Sequence, residues 1–403
     1  MTAYCDPPVN SKRIYLDNAA TTPLRSEVAQ AMREAPFDIN FNPSSLHAEG
    51  RRAAGVLDAA RARVAAVLGA ARKEIVFTSS GTEANNLAIL GVLRARGPGA
   101  RLVTTAFEHR AVLEAAERAR AEGFAVTSLG VGGEGFVDVG EFAEALRPQT
   151  ALASIVYANN EIGTVQPLAE LARIARERGV LFHTDAVAAP HWLPLDVHEL
   201  GVDLLSLSAH KCGGPKGVGA LYVRRGVPVA PLLYGGGQEF GLRPGTQNLA
   251  GIAGMTEALE LAAREREAQS QRVSTLRDRL ESAVQAAISG IRVNGAAPRL
   301  PNLLNISFAG LDSSSLLIAL DLAGVAVSAG SACASGSPEP SHVIKALRTG
   351  EEWERGAMRF SLGISTTDEE VERVVELLPR LVADLRRPGS SGALAASAAR
   401  GDG

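Results

Sequence analysis

Between about residue 74 and residue 223, short apolar runs alternate with amphipathic stretches. The runs Ile75–Thr78, Leu102–Ala106, Ala125–Leu129, Leu152–Tyr157, Val180–Thr184, Leu204–Ser208 and Ala220–Val223 predict strands covered on both faces. Ala111–Glu122 and Leu168–Arg178 carry apolar residues at helical spacing, and each leads into a glycine, Gly123 or Gly179, suited to a helix C-terminus. Strand–helix repetition of this kind predicts an α/β fold with a mainly parallel seven-stranded sheet and helices on both faces. Ligands of such a sheet bind outside the carboxyl ends of its strands.

A long charged helix, about Ala250 to Ser289, follows. Beyond it the pattern reads strand Leu303–Phe308, helix Ser314–Leu322, strand Val325–Ser328, strand Met358–Leu362 and helix Asp368–Leu385, a smaller α+β domain. The expected organisation is an N-terminal segment 1–16 packing with the small domain, a large domain 17–265 and a small domain 266–387. Within the last, a mobile loop is expected at about 330–342. The Gly-, Ala- and Ser-rich residues 388–403 form an expected disordered tail.

With 403 residues, 46% hydrophobic and 21% charged, the chain is long enough for two domains and too apolar to be disordered. Its 41 basic and 44 acidic residues offer no positive field for direct contact with nucleic acid. The longest uncharged stretch, Leu322 to Pro338, is broken by Gly, Ser and Pro, so no membrane span is expected. Residues 1–8 lack the basic-then-apolar pattern of a signal peptide, and the expected location is the cytoplasm. Three cysteines, Cys5, Cys212 and Cys333, lie far apart without a CxxC pair, which argues against a disulfide framework or a zinc cluster. No metal site is expected.

Gly130-Val-Gly132-Gly133-Glu-Gly135 follows a strand and matches the dinucleotide-binding GxGxxG pattern. That pattern must open a helix directly. Here Phe136 and Val137 intervene before a helix starting near Asp138, so the run reads as a connector.

Three other strand ends carry chemistry. Ser208-Ala-His210-Lys211 ends one strand, placing a lysine where a desolvated amine could form a Schiff base with an aldehyde. His183-Thr184-Asp185 ends another in a carboxylate able to keep a pyridine nitrogen protonated. Thr78-Ser-Ser-Gly81-Thr82-Glu83-Ala-Asn-Asn runs from a strand into a helix over Asn86–Leu93, whose N-terminus would hold a phosphate. A lysine, an acid and a phosphate cradle together specify a pyridoxal 5′-phosphate site.

Motifs spread over the chain carry a resemblance. They include Tyr15-Leu-Asp-Asn-Ala-Ala-Thr-Thr-Pro23, Asn42-Pro-Ser-Ser-Leu-His47, Glu108-His109 and Asn159-Asn160-Glu-Ile-Gly-Thr-Val-Gln-Pro167. Gly235-Gly-Gly-Gln-Glu-Phe-Gly-Leu-Arg-Pro-Gly-Thr246 and Arg359-Phe-Ser-Leu-Gly363 complete the set. With these the chain resembles the cysteine desulfurases, in particular the NifS/IscS-like group of the class V aminotransferase family, fold-type I pyridoxal phosphate enzymes. The resemblance implies that Lys211 holds the cofactor as a Schiff base, His109 stacks on its ring and Asp185 binds its ring nitrogen. It implies further that Gly81, Thr82, Ser208 and His210 surround the phosphate, with Thr246 reaching across from the other subunit of a homodimer. Arg359 would take the substrate carboxylate, with Asn160 near it and near the cofactor's phenolic oxygen. The family's aspartate motif usually ends in a Gln on that oxygen; here the position is Ala188. Phe240-Gly241 and Cys212-Gly213 also depart from the usual pattern.

The segment Ser328-Ala-Gly-Ser331-Ala-Cys333-Ala-Ser-Gly-Ser-Pro-Glu-Pro340-Ser-His342 decides the reaction. Its small residues suit a travelling loop, and sulfur transfer needs a thiolate that can reach substrate and then an acceptor. Cys333 lies where the family carries its persulfide. The implied activity converts L-cysteine to L-alanine: Lys211 moves the α-proton, Cys333 takes the sulfur, and His109 is a candidate acid–base. Sulfur then passes to acceptor proteins, for iron–sulfur cluster assembly or through tRNA- or DNA-thiolating enzymes. No residue pattern selects among these. Cys5 and Cys212 receive no catalytic role. The competing expectations are another class V reaction with Cys333 incidental (selenocysteine lyase, transaminase or epimerase) or a weakly active protein that docks sulfur acceptors.

Overall fold

The structure, a computed structural model, describes residues 13–34, 40–330 and 340–387. The chain begins with β1 (Ile14–Tyr15), α1 (Ser26–Glu34) and α2 (Ala48–Val67). It continues through β2 (Ile75–Thr78), α3 (Gly81–Arg96), β3 (Arg101–Thr105), α4 (Arg110–Ala121), β4 (Ala125–Leu129), α5 (Val139–Ala145) and β5 (Thr150–Ser154). Then come α6 (Leu168–Glu177), β6 (Leu181–Asp185), α7 (Val197–Leu200), β7 (Leu204–Ser208) and β8 (Gly219–Val223). The long α8 (Leu249–Ala287) leads to β9 (Ile291–Asn294), β10 (Leu303–Phe308), α9 (Ser313–Leu322), β11 (Val325–Ala326), α10 (His342–Ala346), α11 (Glu351–Glu354), β12 (Ala357–Ser361) and α12 (Asp368–Leu385).

Seven strands form one sheet in the order β2-β8-β7-β6-β5-β3-β4. Strands β3 to β7 are mutually parallel, and β8 runs antiparallel to both its neighbours. Successive residues of its central strands enter different cores: Val103, Phe182 and Leu205 one, Leu102, Leu181 and Leu204 the other. Alternation of the pleat therefore buries both faces, which is why these strands read as unbroken apolar runs. β9, β10 and β12 form a smaller antiparallel sheet, and β1 pairs in parallel with β11. The single helix α8 spans both units and continues through Glu265. Its residues up to Ala262 pack into the large-sheet core, and those from Val273 to Val284 pack into a core with β10, β12 and α12.

The strand expected over Val325–Ser328 is shorter, with β11 ending at Ala326 and Ser328 meeting Arg359 in an isolated bridge. Two further elements differ from expectation for local reasons. β5 ends at Ser154 rather than near Tyr157: Tyr157 N still donates to Asp185 O (3.0 Å) at the end of β6, but on the opposite side the Val156 N–H donates to the Glu108 carboxyl group (3.0 Å) instead of continuing the ladder. α3 begins at Gly81, not near Asn86, because the Ser80 hydroxyl accepts from Glu83 N (3.2 Å) and caps the helix one turn earlier. The glycine run Gly130–Gly135 is a turn closed by Gly132 N donating to Phe136 O (3.0 Å), and α5 starts after its N-cap Asp138. Among the described residues, no helix is long and apolar enough to cross a membrane.

Candidate active site

A cavity of about 200 Å³ opens beyond the carboxyl ends of the parallel strands. Gly81, Thr82, His109, Asn160, Asp185, Ser208, His210, Lys211 and Arg359 all line it. Thr246 does not; it is exposed on the loop before α8. Cys333 lies outside the described residues, as do Cys5, most of the expected loop at 330–342 and the tail 388–403.

Asp185 is the last residue of β6 and is 4% exposed. Its Oδ2 accepts from Asn85 Nδ2 (2.7 Å) and its Oδ1 from Val187 N (2.9 Å). Both donors are neutral, and among the described residues no cation pairs with it. A buried carboxylate in that setting favours a ligand that brings a positive or proton-bearing group.

The phosphate side is built from a helix end. α3 starts at Gly81, so the unpaired N–H groups of its first turn open on the cavity beside Ser80 and Thr82. No side chain fits at Gly81: a Cβ there would stand 2.6 Å from Val187 Cγ2 and 3.3 Å from Ser208 Cβ. Ser208 ends β7 and is buried. His210 Nδ1 lies 3.1 Å from Thr21 Oγ1. Burial first, then the charge of Lys211, pushes the His210 pKa down to about 4, so its imidazole is neutral at neutral pH.

Lys211 follows β7 by one short turn and reaches back across the cavity. Its Nζ donates to Ala20 O (2.8 Å) and to Ala19 O, carbonyls of the turn that follows β1. His109 caps α4: its Nδ1 accepts from Ala111 N (3.1 Å), leaving Nε2 to carry the ring proton in the neutral form. Burial lowers the His109 pKa most; Lys211 and His342 act the same way and Asp185 opposes them.

Arg359, in the middle of β12, is 1% exposed. Its Nη2 donates to Asp17 Oδ1 (2.7 Å) and its Nη1 to Asn160 O (3.1 Å), while Nε is buried and has no acceptor among the described residues. A guanidinium lining a cavity wall, with more donors than its two partners use, suits a carboxylate. The small side chain of Ala188 lines the wall, where no hydrogen bond can come from it. Cys212 is fully buried, its Sγ 3.3 Å from Ala209 O, and burial pushes its thiol up to about 12, which keeps it neutral.

Several contributors were not singled out from sequence. Asn85 holds Asp185, Asp17 holds Arg359, and the Ala19 and Ala20 carbonyls hold Lys211. Each stands inside a motif already noted, Thr78–Asn86 or Tyr15–Pro23, so the signal was present but not its target. Glu108 and His342 likewise stand inside noted motifs, the Glu108-His109 pair and the cysteine-bearing segment, without having been assigned a contact. Glu108 is fully buried, its Oε2 without a partner among the described residues, and His342 Nε2 donates to Glu108 O (2.9 Å). Together these groups fit a phosphate-bearing aromatic aldehyde: an amine for the carbonyl, a carboxylate for a ring nitrogen and a helix N-terminus for the phosphate.

The same architecture is shared with known proteins. The aminotransferase class-V family profile matches residues 14–374, and the chain belongs to that family. Within it, the chain is 48% identical over 377 residues to the cysteine desulfurase IscS of Dictyoglomus turgidum, covering 93% of this chain and 96% of that one. A solved NifS-like protein superposes with a TM-score of 0.85 at 36% identity, covering 92% of this chain and all of the other. A solved structure described as SspA in complex with cysteine gives a TM-score of 0.77 at 35% identity, covering 88% of this chain and all of that one. The chain is therefore a member of the IscS- and NifS-like cysteine desulfurases, the group its motifs resemble, whose activity is sulfur transfer.

Proposed function

We propose that this chain is a pyridoxal 5′-phosphate-dependent cysteine desulfurase that carries sulfur on Cys333. The observation that carries the reading is the convergence of Lys211, Asp185, the α3 N-terminus and Arg359 on one cavity. The cofactor, when bound, supplies an electron sink for the substrate's α-carbon.

The chain's own residues do the rest. Asp185, oriented by Asn85 and Val187 N, holds the proton of the ring nitrogen. Gly81, Thr82, Ser208 and His210 bind the phosphate, and His109 lies against the ring. Arg359 and Asn160 hold the carboxylate of L-cysteine, which fixes the direction in which its sulfur points. Lys211 Nζ provides the amine for the cofactor carbonyl and moves the α-proton. His109 Nε2 exchanges protons with the thiol groups.

In the sulfur step the Cys333 thiolate attacks the substrate sulfur. An S–S bond forms, the substrate C–S bond breaks, and the electron pair left on the substrate carbon is protonated. The sum, Cys333 thiol plus L-cysteine giving Cys333 persulfide plus L-alanine, needs no outside oxidant. Backbone pairing supports the reach: Ser328 N donates to Arg359 O (3.2 Å) and Arg359 N to Ser328 O (2.7 Å). Cys333 follows Ser328 by five residues, a tether of at most about 18 Å.

Exposure of Thr246 away from its own cavity supports a homodimer in which it completes the partner's phosphate site. The persulfide then passes to a protein acceptor, an iron–sulfur scaffold or a tRNA- or DNA-thiolating enzyme. The test is a single turnover with L-cysteine, with alanine quantified and persulfide located by mass spectrometry. Alanine equal to the sulfur on Cys333, and no persulfide in Cys333→Ser, is the expected result. A keto acid, a D-isomer, or alanine without sulfur on Cys333 overturns the reading.

A further inference from the structure

Residues 17–22 form a strap that touches both walls of the cavity. At one end Asp17 Oδ1 accepts from Arg359 Nη2 (2.7 Å). In the middle the Ala19 and Ala20 carbonyls accept from Lys211 Nζ, the second at 2.8 Å. At the other end Thr22 N and Oγ1 both donate to His210 O (3.0 and 2.9 Å), and Gly213 N donates to Thr22 Oγ1 (2.7 Å). The strap is fastened to the small sheet as well. Ser361, two residues beyond Arg359 in β12, accepts at its carbonyl from Asn18 N (3.2 Å) and Nδ2 (2.9 Å), and at its hydroxyl from Ala19 N (2.9 Å).

The bend of the strap is closed twice. Ala20 N donates to Asp17 O (3.0 Å), which makes residues 17–20 a turn. The hydroxyl of half-buried Tyr15 then shares its proton between Asp17 O (3.1 Å) and Thr21 O (2.9 Å). Extended, residues 17 to 21 would span about 13 Å. With both carbonyls on one hydroxyl they fold back on themselves. Tyr15 is itself fixed in β1, where it pairs with Ala326. Burial and then the charge of Asp17 raise its pKa, against Arg359, so the hydroxyl keeps its proton and remains a donor.

We propose that Tyr15 is a positioning residue for the reaction: its hydroxyl closes the strap, and the closed strap fixes how far the Lys211 amine stands from the Arg359 guanidinium. This rests on the reading of Arg359 as the grip on the substrate carboxylate and of Lys211 as the group that moves the α-proton. In an α-amino acid the carboxylate and that proton sit on the same carbon, so a substrate gripped at one point meets the amine with no slack of its own. Proton transfer then depends on a spacing correct to within about 1 Å. Asp17 and Ala20, three positions apart, set that spacing along one short piece of backbone.

The test uses the holoenzyme and the substitutions Tyr15→Phe and Asp17→Asn. Three readouts are taken: hydrogen exchange over residues 15–22 without cysteine, kcat and KM for alanine formation, and the isotope effect with L-cysteine deuterated at the α-carbon. Tyr15→Phe keeps the ring and loses only the hydroxyl. It is expected to speed exchange and to lower kcat about tenfold. Its isotope effect is expected to grow, because a misplaced amine makes α-proton transfer the slow step. Asp17→Asn cuts the charged tie to Arg359 and leaves the turn carbonyl in place. It is expected to raise KM about tenfold with the isotope effect unchanged.

A fall in kcat with an unchanged isotope effect in Tyr15→Phe would mark the hydroxyl as merely structural and overturn the proposal. So would faster exchange with wild-type kinetics, or wild-type exchange in that variant. Borohydride reduction of the unsubstituted enzyme, followed by peptide mapping, tests the underlying reading separately. Cofactor fixed to a residue other than Lys211 would overturn that reading and the positioning role together.

Discussion

The cavity has two walls of different construction. On one, Asp185 and Ser208 are the last residues of β6 and β7, Lys211 follows β7 by one turn, and Gly81 opens the helix after β2. These groups stand where they do because parallel strands end side by side, so one sheet suffices to assemble them. On the other wall Arg359 sits mid-strand in a different, antiparallel sheet, and reaches the cavity between Asp17 and Asn160. That wall exists only where three distant chain segments meet. The first wall is set by topology and the second by docking, and the division matches the proposed roles: chemistry on the first, recognition on the second.

The sharpest test of that division compares Lys211→Ala with Arg359→Lys. Loss of the Lys211 amine is expected to cut alanine formation on the order of 10⁴-fold through kcat. Arg359→Lys keeps a charge but loses the planar fork, so KM for cysteine is expected to rise about tenfold or more with kcat far less affected. Steady-state kinetics decide it: a kcat effect of Lys211 size in Arg359→Lys would erase the distinction between the walls.

A second test loads the flank of the first wall. Arg61 Nη1 and Nη2 bind Glu239 (2.6 and 2.7 Å), and Glu239 Oε2 also accepts from Phe77 N (2.8 Å) in β2. The pair holds Glu239 and Phe240 at φ of 47° and 60°, with the Arg61 guanidinium 5.0 Å from the Phe240 ring centre. The departure noted at Phe240 thus has a place in the structure, as one of two rings against Arg61. Arg61→Met would leave Glu239 buried and unpaired, at an expected cost of about 3–5 kcal/mol. Denaturant unfolding measures it, and a loss under about 1 kcal/mol would show the pair to be dispensable.

The smallest expected effect is at Glu108, just beyond β3. Burial, against the hydrogen bonds from Thr105 and Val156 N and with some repulsion from Asp185, raises its pKa from 4.5 to about 8. The folded chain therefore keeps a proton that the unfolded chain releases above about pH 4.5. The stability this lends is complete below that pH and is lost as pH rises through 8. Glu108→Gln cannot ionise, so its melting temperature should match the parent near pH 4.5 and exceed it increasingly toward pH 8. A difference that stays flat with pH would show that Glu108 is ionised in the fold.

Much of the first wall was legible along the chain. Strands β2, β4 and β7 and helix α12 fall where the pattern predicts, because apolar runs between turn residues and a 3.6-residue period are local properties. The start of α3 was misjudged because a serine hydroxyl, not periodicity, begins it. The end of β5 was misjudged because the Glu108 carboxyl group, from a different connection, takes a ladder N–H. The second wall was reached only through resemblance. Nothing in the residues around Arg359 says that Asp17, 342 positions away, will bind it.

The sequence by itself determined the alternation of strands and helices, the chemical types at the strand ends and the segment that contains Cys333. Periodicity, capping and side-chain chemistry act over a few residues and can be read there. Only the tertiary structure decided that Asn85 orients Asp185, that Asp17 holds Arg359, and that Glu161 accepts from Ser341. These are pairings across 100 or more positions, made by strand order and by the packing of two sheets against one long helix. No local rule specifies them, since their partners become neighbours only after the chain has buried its cores.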